Sequence, residues 1–407
     1  MPPGTRAASV AASVAAVCAA LAACGSAPRR IPSRRTRLQA VTTAPVGASS
    51  TSTTAVPAAS TAPAPAPAPA PAPPSAANPL RLLRRITGNI SPKSVAASGG
   101  GLVLAQNMMY RHSITVYDAD GNLVHTIPDS VNLAARGRPE LDGRVKGGPV
   151  EAAFSPDHAT AYVSNYSMFG PGFAHPGDDV CSPSSGIDHS YVYRIDLASF
   201  VIDDAIPVGA VPKYVAVSPD GRRALASNWC SYDLSIIDTA TNTETARVKL
   251  GAYPRGIAID IGSTTAYVAV MGSYDFARIS LADDSVSWIR RVGNAPRHLV
   301  LDPQGQYLYA TLNGEGTVAK VELSSGTVVA KVRTGSAPRS MAIAPDGSAL
   351  YVVNYESGTV TKLATADLRV LQTVTTPAHP IGITYEPTAK RVWVACYSGE
   401  ILVFDDA

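Results

Sequence analysis

Apolar residues alternate with small or polar ones in short runs along most of this chain, and polar turns separate the runs. Between residues 209 and 376 the runs come in groups of four, and each group spans 42 residues. The groups open with the segments GAVPKYVAVSPDG, GAYPRGIAIDIGS, GNAPRHLVLDPQG and GSAPRSMAIAPDG. A period of two indicates β-strands, and four short strands per period of about 40 to 45 residues are typical of a β-propeller blade.

A proline at a fixed offset marks each group and extends the count beyond this stretch. These residues, which we call the anchor prolines, are Pro92, Pro149, Pro212, Pro254, Pro296, Pro338 and Pro380. The interval from Pro149 to Pro212 is 63 residues, which predicts an insertion at residues 167–190, between the second and third strands of the second blade. We therefore expect an all-β fold, a seven-bladed β-propeller of four-stranded antiparallel blades.

The two ends of the repeat array predict how the ring closes. The last group stops at Ala407, just after its third strand, and lacks the outer strand that the other groups have. The segment LRLLRRITGN precedes the first group and reads as the missing strand. We expect residues 82–87 to complete the last blade, because this pairing removes the open edge of a linear array.

The residues before the propeller domain (79–407) read as targeting and linker segments. Residues 1–23 have one arginine and then an uncharged apolar run too short for a transmembrane helix, which predicts a signal peptide. The run ends in the segment LAACG, which resembles the lipobox of bacterial lipoproteins. The resemblance implies cleavage before Cys24 and acylation of its thiol, hence an extracytoplasmic, membrane-anchored protein. An ordinary secretory signal with a chance cysteine is the alternative.

Residues 24–78 form a predicted disordered linker, rich first in arginine and then in alternating alanine and proline. Proline at every second position favours an extended polyproline II spacer over a packed core. The net charge of the whole chain is only +3, and much of the basic excess lies in this linker. We therefore expect no nucleic-acid partner.

Three cysteines remain in the propeller domain, and an exported protein permits disulfides. Cys181 lies in the insertion of the second blade, and Cys230 lies in the matching loop of the third blade. Since those loops share one face of a propeller on neighbouring blades, we predict a Cys181–Cys230 disulfide, with two free thiols as the alternative. Cys396 is expected to be a buried free thiol.

The second strands carry YVSN and YVVN, and the turns carry SPDG and APDG. With the G-x-x-P openings, these motifs resemble the YVTN-repeat β-propeller family over about residues 81–407. The resemblance implies the fold and says little about activity, because the motifs are architectural.

Cations follow five of the seven anchor prolines, where Val150 and Ile381 hold the other two positions. These five residues, which we call the cationic ring, are Lys93, Lys213, Arg255, Arg297 and Arg339. Sevenfold geometry gathers them around one end of the central channel, where like charges repel unless an anion or acidic neighbours compensate them. We interpret the ring, together with His298, as a candidate site for an anionic ligand. The alternative is that each cation pairs with a local carboxylate or caps an adjacent blade.

The insertion is expected on the same face and carries several histidines and aspartates, but their spacing matches no known metal-ligand pattern. No metal and no cofactor are predicted, and no catalytic residue is assigned, because the chain lacks the fingerprints of hydrolases, metalloproteases and nucleotide-binding proteins.

Three function hypotheses stay open. The first is a tethered binding or scaffold module for a protein, a glycan or an anionic small molecule. The second is a hydrolase resembling the lactonases built on related seven-bladed propellers, which requires a base and an anion clamp in the channel mouth. The third is a quinoprotein-like or electron-transfer accessory protein, which requires an apolar cavity with a stacking platform such as Trp229.

Overall fold

The computed structural model describes residues 74–406, and these form seven antiparallel sheets. The predicted signal peptide, Cys24 and most of the predicted linker lie outside the described residues. The first strand of each sheet contacts the first strand of the next, and the circle closes where the last blade contacts the first. The predicted seven-bladed all-β propeller is confirmed.

The strands are numbered in chain order, and the first strand of each blade lies innermost. Blade 1 holds β2 (Ser94–Ala97), β3 (Leu102–Asn107), β4 (Ser113–Asp118) and β5 (Leu123–Pro128). Blade 2 holds β7 (Arg144–Phe154), β8 (Thr160–Phe169), β9 (Tyr191–Asp196) and β10 (Val201–Pro207), with the short β6 (Val131–Asn132) paired to β7. Blade 3 holds β11 (Pro212–Val217), β12 (Arg223–Asn228), β13 (Asp233–Asp238) and β14 (Thr243–Lys249).

The remaining blades follow the same plan. Blade 4 holds β15 (Pro254–Ile259), β16 (Thr265–Val270), β17 (Phe276–Ser280) and β18 (Val286–Ile289). Blade 5 holds β19 (Pro296–Leu301), β20 (Tyr307–Leu312), β21 (Thr317–Glu322) and β22 (Thr327–Arg333). Blade 6 holds β23 (Pro338–Ile343), β24 (Ala349–Asn354), β25 (Thr359–Ala364) and β26 (Val370–Thr375). Blade 7 holds β27 (Pro380–Glu386), β28 (Arg391–Cys396), β29 (Glu400–Asp405) and β1 (Arg81–Ile86).

The N-terminal strand completes the last blade, as the sequence predicts. β1 pairs antiparallel with β29, so that Arg81 lies opposite Asp405 and Ile86 lies opposite Ile401. The strand begins one residue earlier than the predicted segment 82–87. The last blade therefore joins the two ends of the described chain by main-chain hydrogen bonds.

The core lies between neighbouring blades. Leu225 and Ile236 of blade 3, for example, share one buried cluster with Ile257 and Val268 of blade 4. Because both faces of each sheet are covered in this way, the middle strands are buried along almost their whole length. Each fully buried aliphatic side chain contributes about 1.5–3 kcal/mol of transfer free energy, so the ring is stabilised blade against blade.

Helical structure in the described part is limited to three short 3-10 turns, at Ser75–Ala77, Ala134–Arg136 and Pro183–Ser185. Within residues 74–406, no helix has the length and apolar character that crossing a membrane requires.

A break in strand pairing directly follows each anchor proline from blade 2 to blade 7. Pro296 pairs with Leu312 and His298 with Thr311, which leaves Arg297 outside the ladder. The same shift leaves out Lys213 in β11. Proline suits the first position of a strand because it has no N–H to donate, and a bulge re-aims the side chain that follows. The repeat thus presents one side chain per blade at the same end of the channel.

Candidate functional site at the channel mouth

The five residues of the cationic ring line one cavity of about 1160 Å³ at the end of the channel. Lys93, Lys213, Arg255 and Arg297 are each at most 8% exposed, and Arg339 is partly buried. The structure therefore places together the five cations that the repeat offset singles out. For Lys213, Arg255, Arg297 and Arg339 the bulge after the anchor proline is the local reason, because it turns these side chains out of the strand ladder. Lys93 directly precedes its strand.

Burial and mutual repulsion disfavour the charged forms of these groups. Burial, with the charges of Arg255 and Arg297, holds the pKa of Lys93 well below its ordinary value. Burial first and Arg255 second lower the pKa of Lys213 to about 7. The pKa of Arg297 is also lowered, by burial and then by Arg255 and Arg339. Shifts of this direction mean that the protein alone stabilises the ring's positive charge poorly.

The cations differ in the partners that the described residues offer them. Lys213 forms an ion pair with Asp179, and Arg255 donates a hydrogen bond from Nη1 to the Lys213 carbonyl oxygen at 3.2 Å. The Arg339 guanidinium carbon lies 3.6 Å from the Tyr355 ring centroid, but its Nε has no hydrogen-bond partner.

Lys93 and Arg297 stand apart from the other three cations. Among the described residues, neither side chain takes part in a hydrogen bond or an ion pair. The alternative interpretation of the ring, local pairing or capping, thus applies to Lys213 and Arg255 but not to Lys93 and Arg297.

A second set of side chains forms the wall of the cavity above the ring. Its members occupy one repeat position, directly after the asparagine of the second strand or its equivalent. They are Met108, Tyr166, Trp229, Met271, Tyr355 and Tyr397. Asn313 holds the position in blade 5. Since the start of each first strand pairs with the end of the second, as Pro212 does with Asn228, this wall adjoins the cations.

This wall is not among the sites predicted from the sequence, although the sequence carries a signal for it. Trp229, Met271, Asn313, Tyr355 and Tyr397 are spaced by 42 residues, and the side chains are large and mostly apolar. The residue types differ from blade to blade, so only the shared offset identifies them.

Both faces of Trp229 are already covered. The Tyr253 ring stacks on it with centroids 4.4 Å apart and an interplanar angle of 26°. The Lys213 ammonium lies 4.0 Å from the Trp229 centroid. Because Tyr253 fills one face of the indole ring, the ammonium occupies the other face. Trp229 therefore offers no free face on which a planar cofactor could stack, as the quinoprotein-like hypothesis requires.

Tyr355 has the same arrangement as Trp229. His379 stacks on it with centroids 4.4 Å apart, and Arg339 lies over its ring. Aromatic residues of the wall thus hold cations of the ring in place by cation–π contact.

The insertion (residues 167–190) reaches this cavity, and the predicted disulfide is confirmed. Cys181 and Cys230 are bonded, and they join the insertion to the loop after β12. Trp229 Nε1 donates to the Asp179 carbonyl oxygen at 3.2 Å, and Tyr232 donates its hydroxyl to the Cys181 carbonyl oxygen at 2.8 Å. These contacts fix the backbone at Asp179 and Cys181, and the Asp179 carboxylate lies against Lys213.

One further sequence expectation has a plain outcome. Cys396 is a free, buried cysteine. Within residues 74–406, no group of three or more histidine, cysteine, aspartate or glutamate side chains is placed to hold a metal ion.

His298 is separated from the cations that it was grouped with. It lines a second cavity, of about 500 Å³, together with Glu151 and Tyr214. Burial, with the charges of Arg255 and Arg297, lowers its pKa to about 3, so the imidazole is neutral at physiological pH. The Tyr214 ring contacts it edge-on at a centroid distance of 5.3 Å. The base that the lactonase-like hypothesis assigns to the channel mouth is therefore not supplied there by His298.

Glu151 lies next to the ring from this second cavity. Its carboxylate accepts a hydrogen bond of 2.6 Å from Ser94 Oγ. Burial raises its pKa, while that hydrogen bond and the Lys93 charge oppose the rise. Glu151 and Asp179 thus offset part of the positive charge of the ring.

Comparison with known proteins adds support for the fold. A chain of hydrazine synthase from Kuenenia stuttgartiensis matches with a TM-score of 0.60 and 20% sequence identity, over 78% of this chain and 96% of that chain. At this low identity the similarity shows the fold alone. No protein-family model and no curated protein matches the sequence.

Proposed function

We propose that this chain is a membrane-anchored extracytoplasmic β-propeller lipoprotein of the YVTN-repeat type, and that its cationic channel mouth binds an anionic ligand. The observation that carries the ligand proposal is the burial of Lys93 and Arg297 in a cavity without a partner among the described residues. The propeller fold supports a binding or scaffold module, and His298, the histidine grouped with the ring, lines the second cavity instead of the mouth.

Electrostatics gives the physical reason for the ligand. Removing a charged side chain from water costs several kcal/mol unless an opposite charge or hydrogen bonds replace the lost hydration. The basic side chains that line this cavity outnumber the acidic ones, so part of the positive charge of the ring remains uncompensated. A bound anion would supply the missing charge and the acceptors for the guanidinium groups.

A thermal-shift titration of the full chain tests the site. At constant ionic strength, citrate is expected to raise the melting temperature in a saturable way, whereas chloride is not. The double variant Arg297→Met plus Arg339→Met should lose the citrate effect, while Arg369→Gln, an arginine whose side chain is 68% exposed, should keep it. An equal response of the double variant and the wild type would refute the site.

The anchor is tested separately by metabolic labelling with an alkyne-tagged palmitate in a bacterial host. Labelling of the wild-type chain and its loss in Cys24→Ser are expected. An unlabelled wild-type chain secreted into the medium would exclude the lipoprotein assignment and leave the ligand proposal intact.

A further inference from the structure

We infer that the ligand is an amphiphilic organic anion, with a carboxylate for the cationic ring and an apolar, ring-sized body for the partly exposed side chains of the wall, Met108, Tyr166, Met271 and Tyr397. This inference rests on the proposed function and narrows it to one chemical class.

The cavity brings charge and apolar surface together, because Lys213 lies over Trp229 and Arg339 lies over Tyr355. Its cations come from the start of the inner strands, and its wall comes from the end of the second strands. Met108 and Met271 add flexible thioether chains, which adapt to irregular apolar shapes. A ligand that satisfies both parts must carry a negative charge and apolar surface on one molecule.

The size of the cavity argues against a small inorganic anion. Its volume is about 1160 Å³, whereas a water molecule occupies about 30 Å³ and pockets for organic ligands hold about 300–1,000 Å³. Phosphate or sulfate would touch the cations and leave the wall in contact with water. An organic body would cover the wall and add hydrophobic contact free energy.

The depth of the charges argues against a linear polyanion. Arg255 and Arg297 are 5% and 6% exposed, so a chain lying across the propeller face cannot reach them. A terminal acidic group on a compact molecule can enter the cavity and reach these two arginines.

The Lys213–Asp179 pair indicates which acidic group the ring accommodates. The Asp179 side chain is 77% exposed and still forms an ion pair with a lysine that is almost fully buried. A carboxylate that enters from the mouth thus meets an ammonium of the ring. Two and three blades further round the ring, Arg297 and Arg339 add planar guanidinium groups, which bind carboxylates in a bidentate manner.

Isothermal titration calorimetry on the full chain tests the ligand class with four probes of known chemistry: 2-naphthoate, acetate, inorganic phosphate and 2-naphthalenemethanol. Naphthoate is expected to bind at least tenfold more tightly than each of the other three, because only naphthoate has both the acidic group and the apolar body. Dextran sulfate serves as the polyanion probe and is expected to bind more weakly than naphthoate.

Two variants locate the binding. Met271→Ala should weaken naphthoate severalfold and leave phosphate unchanged, while Arg297→Met should weaken both. Tyr274→Ala is the matched control, because Tyr274 lies in the same loop, is 58% exposed and does not line the cavity.

Each contrary outcome separates the two proposals. Equal affinity for acetate and naphthoate, stronger binding of dextran sulfate, or naphthoate binding indifferent to both cavity variants would overturn the inference and leave an anion site in place. Failure of every anion to bind would overturn the proposed function and the inference with it.

Discussion

Two buried cations of this propeller, Lys362 in blade 6 and Arg297 in blade 5, have opposite surroundings. Lys362 is fully buried and donates hydrogen bonds of 2.7 Å to the carbonyl oxygens of Ser75 and Asn78. It also forms an ion pair with Asp406. Arg297 is 6% exposed and has no hydrogen bond or ion pair within the described residues. The first cation fastens both ends of the described chain to blade 6, and the second is left uncompensated.

The repeat shows that this difference is not a general shortage of acceptors. Lys320, at the same position of blade 5 as Lys362 in blade 6, donates to the carbonyl oxygens of Thr365 and Ala366 at 2.9 and 3.1 Å. A buried lysine that serves the architecture is thus supplied with oxygens by the next blade. The uncompensated cations of the mouth therefore point to a partner from outside the fold.

The largest loss of unfolding free energy is expected from removing Lys362, the cation whose hydrogen bonds and ion pair are complete. Lys362→Met leaves the Asp406 carboxylate buried and unpaired, which costs about 3–5 kcal/mol of unfolding free energy. Urea denaturation of the variant and the wild type measures the loss. The double variant Lys362→Met plus Asp406→Asn should recover part of it, because no buried charge remains. A loss below about 1 kcal/mol would show that the pair does not fasten the chain ends.

Arg297→Met, in contrast, should not lower the unfolding free energy in a buffer without a multivalent or organic anion. Replacing an uncompensated buried charge with an apolar side chain removes repulsion from Arg255 and Arg339, so the unfolding free energy should stay equal or rise by about 1 kcal/mol. The same variant should lose binding of citrate. Urea denaturation and calorimetry on one preparation check both. A clear loss of stability would mean that Arg297 has a structural partner after all.

The sequence is a good guide to everything that repeats. Seven prolines at one offset predict seven blades, and a missing outer strand predicts its replacement by β1. The same offset locates the ring, because from blade 2 to blade 7 the side chain that follows the anchor proline meets a bulge. Cys181 and Cys230 are paired correctly because equivalent loops of neighbouring blades lie side by side.

What the repeat does not encode could not be predicted in this way. Asp179 lies in the insertion, which has no counterpart in other blades, so no offset places its carboxylate over Lys213. His298 directly follows Arg297, but the strand resumes its pairing there, with Thr311 opposite, and the side chain lines the second cavity. Adjacency in sequence was misleading because strand residues next to each other do not share a face.

The last prediction concerns the pH dependence that Lys213 confers on stability and binding. Its pKa in the folded protein is about 7, against an ordinary value of 10.5, so between these values the unfolded chain binds more protons at this site than the folded chain. The proton binding of Lys213 should therefore make the unfolding free energy of the protein rise as the pH increases from about 7 to about 10. Affinity for naphthoate should fall over the same range, because Lys213 loses its charge.

Lys213→Met should flatten both profiles relative to the wild type, whereas Lys249→Met, at an exposed lysine of β14, should leave them unchanged. Urea denaturation and calorimetry across this pH range measure the two slopes. Parallel profiles for the wild type and Lys213→Met would show that Lys213 keeps its charge throughout and that Asp179 compensates it fully.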